Sequence, residues 1–145
     1  MSEQNQNFSN HARFHPPFHF VMVPLIMVHL ISSGVQVYRN PGWPTIEALL
    51  FAIGVFIMAF LVRINPLKAQ DRLIRLEEQL RYQRVLPADL AAKAASLPVS
   101  QMVALRFAPD DELADLVRQT LGGKFENQKA IKQGIKNWKG DYFRV

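Results

Sequence analysis

The chain has 145 residues, a net charge of +5 and no cysteine. The lack of cysteine excludes disulfides, thiolate metal sites and cysteine nucleophiles. The length fits one ordinary domain, but apolar residues concentrate between Phe18 and Ile64, and charged residues follow Arg63. This basic excess suits an anionic lipid surface or an acidic partner.

Two apolar segments follow a polar leader, residues 1–17, which we expect to be flexible. Residues 18–38 contain no Asp, Glu, Lys or Arg, and residues 45–64 carry their charges, Glu47 and Arg63, near their ends. About twenty helical residues cross the roughly 30 Å of a hydrocarbon core. The pattern therefore predicts two transmembrane helices.

The connection between these segments, residues 39–44, is rich in proline and glycine and favours a turn. So short a connection predicts an antiparallel hairpin over residues 18–64. Basic residues crowd the exit of the second segment, whereas the turn carries only Arg39. The positive-inside rule then predicts that both termini are cytoplasmic.

Residues 65–86 are predicted to form an amphipathic juxtamembrane helix. Its apolar residues recur at spacings of four, three and four, which is a short heptad-like pattern: Ala69, Leu73, Leu76 and Leu80. We call Leu73, Leu76 and Leu80 the leucine seam and expect it to be buried. It packs either on the rest of the tail or in a coiled coil between protomers.

Residues 87–145 are predicted to form a small, basic, helical cytoplasmic domain. Proline and glycine divide it into short helices over residues 88–97, 99–107 and 108–121, followed by a last helix that extends to Trp138. Ser100 and Asn127 are candidate N-caps. The predicted fold is an all-α membrane protein: a two-helix hairpin followed by a tail of short helices.

Several stretches of the chain are distinctive in this order: NHARFHPPFHF, QDRLIRLEEQLR, QMVALRFAPDDELADLV and AIKQGIKNWKGDYFRV. Together they resemble a family of small bacterial two-span membrane proteins that carries only a domain-of-unknown-function label. The resemblance implies a bacterial inner-membrane location and the hairpin-plus-tail plan. It implies no activity, cofactor or functional residue.

The histidines of the leader suggest a metal site because they recur every four residues, at His11, His15 and His19. However, Pro16 and Pro17 interrupt a shared helix, so we favour histidines that hydrogen-bond the helix start or lipid headgroups. We therefore expect no metal and no cofactor.

Polar residues inside the first span form one stripe: His29, Ser32, Ser33 and Gln36. An unpartnered polar group is costly in a bilayer, so we expect the stripe to pack on the second span or on a partner subunit. On the second span, the stripe would pack against the small residues Ala48, Ala52 and Ala59. A haem ligand or a proton relay at His29 remains an alternative.

Other charged residues are better explained by structure than by catalysis. Glu47 lies in the first turn of the second span, and Asp110, Asp111 and Glu112 lie at a predicted helix start, where carboxylates interact favourably with the helix dipole. The last stretch offers a surface for anionic lipid or an acidic partner, formed by Lys129, Lys132, Lys136, Lys139 and Trp138. No recognition motif for nucleic acid accompanies this charge.

The sequence thus predicts a non-enzymatic, membrane-anchored accessory or scaffold protein. It would be a subunit of a larger inner-membrane complex and bind a partner protein, or a second copy, through its tail. A haem-binding or redox component using His29 is one alternative. An oligomeric channel or transport accessory, with Glu47 and the polar stripe lining the pathway, is another.

Overall fold

A computed structural model describes residues 6–10 and 15–142. The described residues are helical and contain no strand, which confirms the all-α prediction for this part of the chain. A short π-helical segment, Pro17–Met22, leads into the first helix. The helices are α1 (Val23–Arg39), α2 (Trp43–Val85), α3 (Ala88–Ala94), α4 (Val99–Leu105), α5 (Asp110–Leu121) and α6 (Gln128–Gly134).

The chain divides into two units, and α2 contributes to both. We call Arg13–Pro66 the apolar unit, and Leu67–Val145 together with Met1–Ala12 the head. The residues predicted to form a separate juxtamembrane helix instead continue the second apolar helix, because α2 runs through Pro66. Proline lacks an N–H, but residues with high helix propensity, such as Leu67 and Ala69, follow it and continue the helix.

Two helical segments of the described residues, Pro17–Arg39 and Trp43–Val85, are long and apolar enough to cross a membrane. Only 6% of the most apolar window of each is buried within the chain. A core helix of a soluble protein would bury this surface, because exposing large apolar side chains to water is unfavourable. These helices therefore indicate a membrane protein.

Side chains from both helices meet within the apolar unit. The guanidinium carbon of Arg63 lies 5.8 Å from the centre of the Phe18 ring. Ser33 of α1 and Ala52 of α2 are the buried residues of this unit among those described. Small residues of this kind let helix backbones approach closely.

The head has its own apolar core. In α5, Leu113, Leu116, Val117 and Thr120 are buried at spacings of three, one and three, which places them on one helix face. The α5 face packs against α3, α4 and α6. The largest fully buried side chains of the head are Tyr82, Phe107, Met102, Leu105, Leu113, Ile131 and Val117.

Local sequence explains most helix ends of the head. The Asn127 side chain accepts hydrogen bonds from the backbone N–H groups of Lys129 (2.9 Å) and Ala130 (3.0 Å), which confirms the predicted N-cap. The predicted Ser100 cap is wrong, because Pro98 occupies the N-cap position of α4. Gly123 follows α5 with a φ of 75°, a conformation that favours glycine.

The last helix is shorter than predicted. It ends at Gly134, and Ile135 adopts an extended conformation, so Trp138 lies outside the helix. A Cβ atom at residue 134 would lie 3.0 Å from the Phe125 ring, so glycine allows that ring to pack closely. The chain beyond Gly134 then crosses the end of α4, where the Lys139 N–H donates to the Phe107 carbonyl (2.8 Å).

Candidate interaction surfaces of the head

A buried arginine joins α2 to the start of α5. The Arg81 side chain is only 7% exposed, and its Nη2 donates to an Asp110 carboxylate oxygen and to the Ala108 carbonyl, each at 2.6 Å. Nη1 lies 3.3 Å from Oε2 of Glu78, one turn earlier in α2. A buried guanidinium is tolerated only when its N–H groups have such partners.

The environment of this cluster shifts the pKa values of its members in opposite directions. Burial raises the pKa of the Glu78 carboxyl, although Arg81 acts against the shift. The hydrogen bond from Arg81 lowers the pKa of Asp110, which is largely exposed. Burial also raises the pKa of Tyr82, whose hydroxyl has no hydrogen-bond partner among the described residues.

A second buried arginine holds the C-terminal segment. Arg106 Nε lies 3.0 Å from an Asp141 carboxylate oxygen. The next residue, Phe107, stacks on Trp138 with a centroid distance of 4.5 Å and an interplanar angle of 18°. Gln6 also reaches this segment, because its side-chain oxygen accepts from the Asp141 N–H (2.7 Å). The part of the leader around Gln6 therefore contacts the C-terminal segment within the head. The flexibility of the rest of the leader stays a prediction.

The predicted lipid-facing surface is only partly exposed. Lys129, Lys136 and Lys139 are exposed. Lys132 is half-buried, with its ammonium nitrogen 5.4 Å from the centre of the Phe107 ring, and Trp138 is half-buried against the same ring. These two residues therefore help to hold the head together. Lipid contact by the remaining lysines stays a prediction.

The leucine seam is exposed within the chain. Leu73, Leu76 and Leu80 are 60%, 54% and 51% exposed. The expectation that they pack on the rest of the tail is wrong. The helix instead packs through another face, formed by Ile74, Glu78, Arg81 and Tyr82. The coiled-coil alternative stays a prediction.

The polar stripe of α1 is not a continuous packing face within the chain. Ser33 is buried, but His29, Ser32 and Gln36 are exposed, so these three do not pack on α2 as expected. The Ser32 hydroxyl donates instead to the carbonyl of His29 in its own helix (3.0 Å). Whether a partner subunit covers the stripe stays a prediction.

Of the small residues expected to receive the stripe, Ala52 is buried, Ala59 is half-buried and Ala48 is exposed. His29 and Glu47 line one open groove of the apolar unit together with Pro44, Ala48, Leu50 and Phe51.

The described residues contain no group of three or more His, Cys, Asp or Glu side chains that could hold a metal ion. His11 lies outside the described residues. His19 contacts the helix start, since its Nδ1 lies 3.0 Å from the carbonyl oxygen of His15. This contact agrees with the favoured interpretation of the leader histidines as partners of the helix start.

Comparison with protein families found one match along the whole chain. The model of a family of unknown function, DUF6526, matches residues 1–145. The chain belongs to this family. Comparisons with curated proteins and with solved structures found no match.

Sequence reasoning missed the buried charges of this DUF6526 protein, Glu78, Arg81 and Arg106. Charged residues usually mark the solvated face of a helix, so their charge alone predicts that they are exposed. One signal was available: Glu78 and Arg81 have opposite charges one turn apart, and the aromatic Tyr82 directly follows Arg81. Asp110, the partner of Arg81, and Asp141, the partner of Arg106, lie far along the sequence, and only the fold brings each pair together.

Proposed function

We propose that this protein is a membrane-anchored interaction protein, an accessory or scaffold subunit of a larger complex in a bacterial inner membrane. Its apolar unit is the anchor, and its head binds a partner protein. Exposure of the apolar helices supports the anchor, because lipid would cover them.

The proposed anchor is an antiparallel hairpin. In such a hairpin the N-terminal end of the first span must lie beside the C-terminal end of the second span. Contact between Phe18 and Arg63 supports this pairing, as does an apolar cleft lined by Val23 and Ile26 together with Phe56 and Ala59. An even number of spans places both termini on one side, and the basic residues after Arg63 favour the cytoplasm.

The observation that carries the interaction role is the exposed leucine seam. Three leucines on one stripe of a water-exposed helix are unusual, because monomeric proteins rarely expose contiguous apolar surface without a binding role. The buried ionisable groups of the head support a non-enzymatic role. Glu78 pairs with Arg81 within α2, and Arg81 and Arg106 form ion pairs that join separate parts of the chain.

Site-specific photocrosslinking in intact membranes tests this proposal. A photoreactive amino acid replaces Leu76 in the full-length protein, and a matched control replaces Asp89, an exposed residue of α3 in the same head. We expect a discrete protein adduct from position 76 and little or none from position 89. Equal or absent adducts at the two positions would contradict an interaction surface at the seam.

A further inference from the structure

We infer that the leucine seam pairs with the same seam of a second copy, forming a short, parallel, two-stranded coiled coil. This inference rests on the proposed membrane anchor and names the partner of the proposed interaction surface. Three features of α2 support this dimer: the position of the seam on the helix, the charged residues beside the seam and the continuity of the helix.

The seam and the head lie on opposite sides of α2. At about 100° per residue, the mean directions of the seam (Leu73, Leu76 and Leu80) and of the buried face (Ile74, Glu78, Arg81 and Tyr82) differ by roughly 150°. The head therefore leaves the seam accessible. Spacings of four and three are those of the a and d positions of a heptad, with Leu73 and Leu80 at a and Leu76 at d.

Flanking charges fit a second copy in parallel register. With Leu73 at a, Arg72 takes the preceding g position and Glu77 the e position, which are the positions that form ion pairs across a coiled coil. Both side chains are exposed, and neither forms an ion pair among the described residues. Two-fold symmetry would place Arg72 of each copy opposite Glu77 of the other, which gives two such pairs.

Membrane anchoring explains the orientation and how so short a pairing can form. Every copy inserted with the same topology runs along α2 in the same direction, so two copies meet in parallel. Because α2 is one helix from Trp43 to Val85, the paired segment is already helical and no new nucleus is needed. Confinement to one membrane also raises the effective concentration of the partner.

A ladder of single cysteines tests the register directly, since the natural chain has no cysteine. The full-length variants Leu73→Cys, Leu76→Cys and Leu80→Cys are oxidised mildly in native membranes. A disulfide requires Cα atoms roughly 4.4–6.8 Å apart, so only residues at the same level of a parallel pair form one with themselves. We expect all three to give a disulfide-linked dimer.

The matched control is Arg75→Cys, an exposed position of the same helix outside the seam. We expect it to give much less dimer. Equal dimer from position 75, or no dimer from any of the three seam positions, would overturn the inference. Cross-linking at position 76 alone would indicate an antiparallel pair and would also overturn it.

Charge reversal of exposed residues that do not pack in the head provides a second test of the dimer. Arg72→Glu and Glu77→Arg should each lower the dimer yield of Leu76→Cys by roughly three- to tenfold, because each change replaces two attractions by repulsions. The double variant should restore the yield. Loss in the double variant equal to the sum of the single losses would contradict the pairing.

The two proposals can fail separately. Photocrosslinking at position 76 could capture a different protein while the cysteine ladder gives no dimer. In that case the seam is an interaction surface, but the proposal that it binds a second copy of this chain is wrong. If neither experiment gives a product, both are wrong.

Discussion

At the scale of single residues, Arg81 is a buried charged side chain that connects two helices of the head. It pairs with Glu78 in its own helix, and it links α2 to the start of α5 through Asp110 and the Ala108 carbonyl. Removing one member of a buried ion pair leaves the other charge without compensation, which is more costly than losing a surface contact.

Arg81→Met should therefore lower the free energy of unfolding of the head by about 3–5 kcal/mol. Thermal unfolding of the full-length protein in mild detergent, followed by circular dichroism, measures the change. Arg75→Met is the matched control, because Arg75 is exposed on the same helix, and should change stability by no more than about 0.5 kcal/mol. Similar small effects of both variants would contradict a role for Arg81 in holding α5.

Glu78 makes the stability of the head depend on pH. Burial raises its pKa in the folded protein above the ordinary value of 4.5. Between these two pKa values the unfolded chain binds fewer protons than the folded one, so stability falls as pH rises through this window. Asp110, with its lowered pKa, contributes stability that is lost at lower pH. This contribution is the same in the wild type and in a Glu78 variant, so it cancels when the two are compared.

Glu78→Gln should remove the loss of stability caused by ionisation of Glu78. Melting temperatures of the wild type and the variant, measured between about pH 4 and pH 7, isolate this contribution. We expect the variant to gain stability relative to the wild type as pH rises. A difference between the two proteins that stays constant with pH would show that the Glu78 carboxyl titrates normally.

At the scale of secondary-structure elements, the sequence predicted the existence and type of the helices well. Apolar segments without charges, proline and glycine breaks and the Asn127 cap are local signals, and each corresponds to a helix or a helix end in the structure. The predicted boundary at residue 65 between the second span and the juxtamembrane helix does not interrupt α2, because helix formers such as Leu67 and Ala69 follow the single proline.

The orientation of α2 in the head could not be predicted from its hydrophobic pattern. Periodicity identified Leu73, Leu76 and Leu80 as the most apolar stripe, and an apolar stripe normally faces the core. The structure instead turns Ile74, Glu78 and Tyr82 inward, because the charge of Glu78 is compensated by a nearby arginine.

As an exposed residue, Leu76 should tolerate substitution by alanine at a cost within about 0.5 kcal/mol in a monomer.

The exposed lysines near α6 provide a prediction at the same scale. We predict that Lys129, Lys136 and Lys139, which are exposed, contact anionic lipid, where each basic residue adds about 1 kcal/mol of attraction. In lipid nanodiscs, hydrogen exchange of residues 128–134 in the full-length protein should slow when anionic lipid replaces neutral lipid. Replacing all three lysines by glutamine should abolish this difference.

A matched control for the lysine experiment is Lys93→Gln in α3, which removes an exposed charge elsewhere in the head. It should leave the lipid-dependent protection unchanged. Protection that is independent of anionic lipid in the wild type would argue against lipid contact. High salt should weaken the effect, because exposed charges are screened within about 10 Å.

At the scale of the whole molecule, two long apolar helices indicate a membrane protein, and the chain divides into an apolar unit and a helical head. The head carries the ionisable groups that the structure buries and the apolar seam that it exposes. Placing this head in the cytoplasm depends on both apolar helices crossing the membrane. The interaction proposals require that arrangement, since seam and partner must meet on the same side.

Topology reporters measure this arrangement most directly. Alkaline phosphatase and green fluorescent protein, which are active on opposite sides of a bacterial inner membrane, are fused in turn after Val145 and within residues 40–43. We predict that the C-terminal fusion is active only as the cytoplasmic reporter and the fusion in the turn only as the periplasmic one. Periplasmic activity of the C-terminal fusion, or cytoplasmic activity of both fusions, would contradict a two-span anchor with a cytoplasmic head.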